Sequence, residues 1–125
     1  MPNAESAVDL SRRLLGVVDL YVAKLPRDRK FTIGDRLLER TITILETVTR
    51  AYYSPRSRKA ELLTAVNVEL EVVRQLLRFL FEAKVHDLRK HEHFSREIDE
   101  LGRCVGGWLK SLKTSVADAC CRGIV

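Results

Sequence analysis

The stretch RKAELLTAVNVELEVVRQLLRFLFE, residues 58–82, decides the fold. Leu63, Val66, Leu70, Val73, Leu77 and Leu80 recur at alternating three- and four-residue steps, an unbroken heptad seam along one side of a helix. Beside it runs a second apolar row, Leu62, Ala65, Val72, Leu76, Phe79 and Ala83, interrupted only by Glu69. A helix apolar on two sides contacts neighbours on both, or one neighbour and another subunit.

Three further stretches carry the same rhythm. Upstream are Ala7, Leu10, Leu14, Val17 and Tyr21, flanked by Leu15, Val18, Val22 and Leu25, and ended by Pro26 and the polar run Arg27–Lys30. Next come Leu38, Thr41, Leu45, Val48 and Tyr52, flanked by Leu37, Ile44 and Ala51 and closed by Ser54-Pro55. Its β-branched residues make this the weakest helix by propensity, but period-two alternation is absent, which argues against a strand. After a polar link from His86 to His93, the last stretch reads Phe94, Ile98, Leu101, Val105, Trp108 and Leu112. The pattern predicts helices over 5–25, 32–53, 57–85 and 92–113, forming one domain over 1–113 with a flexible tail over 114–125. Short connections between long amphipathic helices make an all-α, antiparallel up-down-up-down four-helix bundle the economical architecture.

Composition agrees. The 125 residues fit one domain, and 46% hydrophobic with 31% charged residues excludes a disordered chain. A net charge of +5 and a pI near 9.4 favour an acidic partner such as nucleic acid. The N-terminus lacks the order of a secretory signal, and no apolar run approaches the ~20 residues that span a bilayer. The expectation is a cytoplasmic protein with no membrane partner.

Catalytic signatures are missing: no phosphate-cradling glycine loop, nucleophile elbow or HExxH occurs. His91-Glu92-His93 with His86 invites a metal reading, but the HxH pair alone brings two ligands where a catalytic zinc wants three, and these read as solvated loop histidines. Glu69 lacks the Glu-x-x-His companions of a di-metal bundle and reads as the partner of an arginine. Cys104 reads as a small buried hydrophobe, and Cys120-Cys121 matches no zinc spacing. A non-enzymatic protein without metal or cofactor follows.

The basic residues carry more. Fifteen of 22 are arginine, whose fork suits phosphate. Arg36 and Arg40 lie on the second helix, Arg74 and Arg78 at i,i+4 on the third, Arg103 and Lys110 on the fourth, and Arg56, Arg58 and Lys59 at a connection. These nine are the candidate nucleic-acid contacts. Set against them is a bland reading of solvated faces braced by pairs such as Arg78–Glu82. With aromatics at 6%, base stacking does not dominate.

The most specific segment is IDELGRCVGGWLKSLK, residues 98–113. Gly102, Gly106 and Gly107 each cost a helix about 1 kcal/mol relative to alanine, yet the apolar rhythm continues through Trp108 to Leu112. Such a cost implies a tight helix contact, within the bundle or between subunits. The segment resembles the C-terminal helix of the accessory variability determinant (Avd) proteins of diversity-generating retroelements: Gly-Arg, two apolar residues, then Gly-Gly-Trp. FTIGDRLLERTITILETVTRAYY (31–53) and residues 58–82 look like that family's second and third helices, and the similarity runs from about Leu14 to Lys113. Cys104 departs from the usual large aliphatic.

The resemblance implies a non-enzymatic four-helix bundle that assembles into a basic, ring-like homo-oligomer, a homopentamer. It further implies binding to the element's reverse transcriptase and to template RNA or cDNA in support of mutagenic retrohoming. By position, Arg74, Arg78 and Arg103 match basic positions, and Gly102, Gly106, Gly107 and Trp108 match the packing motif. Two alternatives stand beside it: a four-helix-bundle protein of a ribosomal RNA intervening sequence, and a protein-binding scaffold without nucleic-acid affinity.

Overall fold

The computed structural model describes the backbone of residues 2–121 and the side chains of residues 6–112. Four long helices carry the chain: α1 (Pro2–Ala23), α2 (Asp35–Tyr53), α3 (Arg56–Glu82) and α4 (Leu88–Cys121), with no strand among the described residues. Each helix packs on the next in sequence, and α1 closes the circuit against α4. The seam of α3 is fully committed to the core: Leu63, Val66, Leu70, Val73, Leu77 and Leu80 are all buried. Phe94, Ile98, Leu101, Val105 and Trp108 of α4 meet Leu14 and Val18 of α1 and Leu37, Ile44 and Val48 of α2 in the same core. Each such side chain contributes about 1.5–3 kcal/mol through burial, set against the entropy of ordering the chain.

The second helix is rotated from its expected setting. Its buried row is Leu37, Thr41, Ile44, Val48 and Ala51, while Leu38, Leu45 and Tyr52 are half-buried. The two rows share Thr41 and Val48 and differ by one residue at the other three positions, a turn of roughly 60° about the axis, and both are apolar, so only the neighbours select between them. The β-branched content is accommodated locally: the hydroxyls of Thr41, Thr43, Thr47 and Thr49 donate to the carbonyls of Leu37, Glu39, Thr43 and Leu45 at 2.8–3.0 Å. Thr41 can be buried because its one polar group is satisfied inside its own helix.

The connections hold surprises. Arg27–Lys30, expected as a polar link, is helical: Arg29 and Lys30 amides donate to the Pro26 carbonyl, and a single π-turn (Lys30–Gly34) leads into α2. Gly34 closes that turn tightly. A Cβ there would lie 3.1 Å from Leu25 Cδ1 and 3.2 Å from both Val22 Cγ1 and the Arg29 carbonyl oxygen. α3 stops at Glu82, short of residue 85, in a Schellman motif. The Val85 amide donates to the Leu80 carbonyl and the Lys84 amide to Phe81, with Lys84 in the left-handed region at φ 62°.

The supposed link His86–His93 is mostly helix. Asp87 caps the start of α4, its Oδ1 accepting from the Lys90 amide at 2.9 Å. Thus His91 and His93 lie on the first turns of α4, not in a solvated loop. At its other end α4 runs through Cys121, past the expected boundary at Lys113, there being no proline or glycine between Lys113 and Gly123. The cysteines' side chains at 120 and 121, and residues 122–125 altogether, lie outside the described residues.

Candidate nucleic-acid interface

The structure sorts the nine basic candidates by what already holds them. Lys59 is structural: its Nζ donates to the Ala51 and Tyr52 carbonyls at 2.8 and 3.0 Å, closing the C-terminus of α2, and sits 5.6 Å over the Trp108 ring. Arg40 bridges α2 to α3 through Glu69 at 3.3 Å, the arginine partner expected for that carboxylate. Arg74 is held between Asp99 of α4 at 2.8 Å and Glu71 at 3.4 Å. Arg58 and Arg78 have long contacts to Glu61 (3.7 Å) and Glu82 (3.6 Å), with every partner at least 62% exposed. Exposed pairs of this kind are worth only about 0–1 kcal/mol and exchange readily for another anion.

Arg36, Arg56 and Arg103 are exposed and have no ion pair or hydrogen bond among the described residues. Arg96 belongs with them. Arg96, Arg103 and Lys110 repeat every seven residues along the outward face of α4, all exposed. The candidates are therefore divided: Arg36 and Arg40 border the α2–α3 side, Arg74 and Arg78 the α3–α4 side, and Arg103 and Lys110 the outside of α4.

Trp108 is buried at 2% exposure and is a core residue of the bundle. The glycines beside it are not in a tight contact with the described residues of the bundle. Among those residues a Cβ added at Gly102, Gly106 or Gly107 meets nothing within 4 Å, and Gly107 is exposed. That corrects one half of the expectation. A glycine is needed for close approach at Gly34, whose signal, a lone glycine three residues before the first apolar row of α2, was too weak to read.

A second constellation was not anticipated. At the α3–α4 turn the Tyr21 hydroxyl lies 2.7 Å from His86 Nδ1, and His86 Nε2 lies 3.2 Å from His91 Nδ1. Phe81 stacks on His91 with ring centroids 4.5 Å apart, and Phe94 meets the Tyr21 ring edge-on at 4.9 Å. Burial pushes the Tyr21 phenol up to about 12. Burial first, then the neighbouring His91, lowers His86 below the ordinary imidazole value. Asp87 ahead of His91 was the available clue, since a cap there puts His86 and His91 within one turn of each other. Burial, then Glu100, raises the thiol of half-buried Cys104, which suits a packing role. Among the described residues no group of three or more His, Cys, Asp or Glu is placed to hold a metal ion, and no helix is long and apolar enough to cross a membrane.

A family model described as bAvd-like matches residues 9–112, from the first turns of α1 to the last core leucine of α4. The chain belongs to the bAvd-like family. The match includes the Gly-Arg and Gly-Gly-Trp segment. No curated protein matches this bAvd-like chain. Among solved structures it is similar to a protein of unknown function from the S23 ribosomal protein family of Bacteroides thetaiotaomicron VPI-5482, with 15% identity over 86% of this chain and 98% of that one and a TM-score of 0.78. At that identity the likeness concerns the fold.

Proposed function

We propose that this bAvd-like chain is the non-enzymatic accessory protein of a diversity-generating retroelement, binding template RNA or cDNA together with the element's reverse transcriptase. The observation that carries the reading is the family match over residues 9–112. Contacts between neighbouring helices pair residues in reversed order, Arg40 with Glu69 and Lys59 with Ala51, Arg13 with Glu97 and Tyr21 with Phe94. They support an up-down-up-down bundle. The open glycine face of α4 supports assembly into a homo-oligomeric ring, a pentamer, because glycines that cost helix stability and touch nothing among the described residues leave room for a second copy. Arg36, Arg56, Arg96 and Arg103, without an ion pair among the described residues, supply phosphate contacts that hold a strand without reading its sequence.

A tagged pull-down from the native host, with bound RNA sequenced and co-purifying proteins identified, tests this. Reverse transcriptase with template-repeat RNA is the expected result. Ribosomal precursor RNA would replace the reading with that of an intervening-sequence protein, and proteins without RNA would replace it with a scaffold.

A further inference from the structure

Between α3 and α4 lies a cavity of about 330 Å3, lined by Arg74, Arg78, Phe81 and Glu82 on one side and His91 and Ser95 on the other. A hydrogen-bond chain of Tyr21, His86 and His91 lies behind it. Where the Tyr21 hydroxyl donates to His86 Nδ1, a neutral His86 carries its proton on Nε2 and donates it to His91 Nδ1. In that arrangement His91 carries its own proton on Nε2. Among the described residues nothing accepts that N–H, and no side-chain nitrogen or oxygen is buried without a partner, so Nε2–H is open to an incoming acceptor.

Ser95 likewise has no partner among the described residues. Arg78 is two-thirds exposed and only loosely held by Glu82, whereas Arg74 is clamped by Asp99 and Glu71 and completes the wall. Arg78, Ser95 and His91 supply donors, and an incoming oxyanion would replace the exposed Glu82 carboxylate on Arg78.

We propose that this groove grips one backbone phosphate of a bound nucleic-acid strand through Arg78, Ser95 and His91 Nε2–H, with Tyr21 and His86 as positioning residues that hold the His91 ring. The inference rests on the nucleic-acid reading above and adds a site and a pH dependence to it. One proton can be added to the chain without breaking it. When His91 Nδ1 is protonated it donates to His86 Nε2, the His86 proton sits on Nδ1, and His86 donates to the Tyr21 oxygen; both bonds reverse and His91 becomes a cation. A second proton, on His86, would set two donors face to face. The groups around the pair are Tyr21 of α1, Arg78 and Glu82 of α3, Lys84 and Asp87 of the turn, and Lys90 and His93 of α4. None of them interrupts the chain. Protonation of the pair therefore places a cation beside the bound phosphate and tightens the hold on the strand.

The test is equilibrium binding of a labelled ten-nucleotide single-stranded RNA to the full chain at pH 8 and pH 6 and fixed low salt, with folding checked by circular dichroism. Wild type should tighten about fivefold on acidification as one charge-assisted contact is added. His91→Ala should abolish that gain and His93→Ala should keep it. Arg78→Ala should lower the salt slope by about one, and Arg74→Ala by much less. Ser95→Ala serves as a second probe that leaves the ring stack untouched, and should weaken binding at both pH values. RNA binding with the same pH response in His91→Ala as in wild type overturns the groove site while leaving the nucleic-acid reading intact. No RNA binding at either pH overturns the nucleic-acid reading and the strand-phosphate assignment. Inorganic phosphate followed by the His91 ring NMR signals then decides the groove alone: a shift lost in Ser95→Ala keeps an oxyanion site for free phosphate, and no shift removes it.

Discussion

Gly106 separates the two roles that its neighbourhood could play. Among the described residues of the protomer a Cβ at this position meets nothing within 4 Å. Gly106→Ala should therefore gain the helix propensity that glycine forfeits, about 0.5–1 kcal/mol, with no steric charge against it. Gly106→Leu should gain a similar amount, because leucine is nearly as good a helix former and its side chain enters open space. Unfolding entropy of about 2.1 cal/mol/K per residue gives roughly 0.26 kcal/mol/K for a chain of this length, so each 1 kcal/mol raises Tm by about 4 °C. Tm should be read from far-ultraviolet circular dichroism at a concentration where the chain is monomeric, and mass from light scattering after gel filtration. The expected pair of results is a protomer at least as stable as wild type and, for leucine, a loss of assembly. A drop of several degrees in monomer Tm would refute the open geometry. Normal assembly of Gly106→Leu would refute the use of this face between subunits.

Other outcomes follow from single contacts. Lys84→Gly should stabilise by ~0.5–1 kcal/mol, since the left-handed C′ position at φ 62° strains a side-chain-bearing residue and suits glycine; an unchanged urea midpoint would argue against it. Lys59→Ala should cost about 1–2 kcal/mol, because it frees two carbonyls at the end of α2 and a cation over Trp108. Any loss of RNA binding in that variant should then be compared with its urea unfolding, and undiminished stability would return Lys59 to the interface. Stability should fall on acidification below about pH 6.5. The lowered folded pKa of His86 means the unfolded chain takes up the proton first, so the contribution is complete above 6.5 and lost as pH falls toward the folded value. His86→Gln should flatten this part of the pH profile; an equally steep profile in that variant would assign the effect elsewhere.

The helices themselves were legible because burial imposes a period that composition cannot hide. The α3 seam from Leu63 to Leu80 is buried residue for residue, and the family match covers the glycine-tryptophan segment that had pointed to it. The ends were read less well. Schellman and N-cap geometry depend on one or two residues, and neither Lys84 nor Asp87 stands out against the polar link around them. The candidate interface was legible only as an inventory. Sequence position places Arg74 and Lys59 among the cations of a surface, but their carboxylate and carbonyl partners come from other helices or from across a turn.

Sequence alone determined that this chain is a four-helix protein with a surplus of arginine, because apolar spacing and charge are local properties of the chain. Tertiary structure decided three things that no local pattern contains. It chose which of two apolar rows of α2 faces inward. It showed that Gly34 is crowded while Gly102, Gly106 and Gly107 are open. It also joined Tyr21, His86 and His91 into one hydrogen-bonded chain across α1, the α3–α4 turn and α4. The physical reason is common to all three: each depends on distances between atoms far apart in sequence, and those distances exist only once the helices have packed.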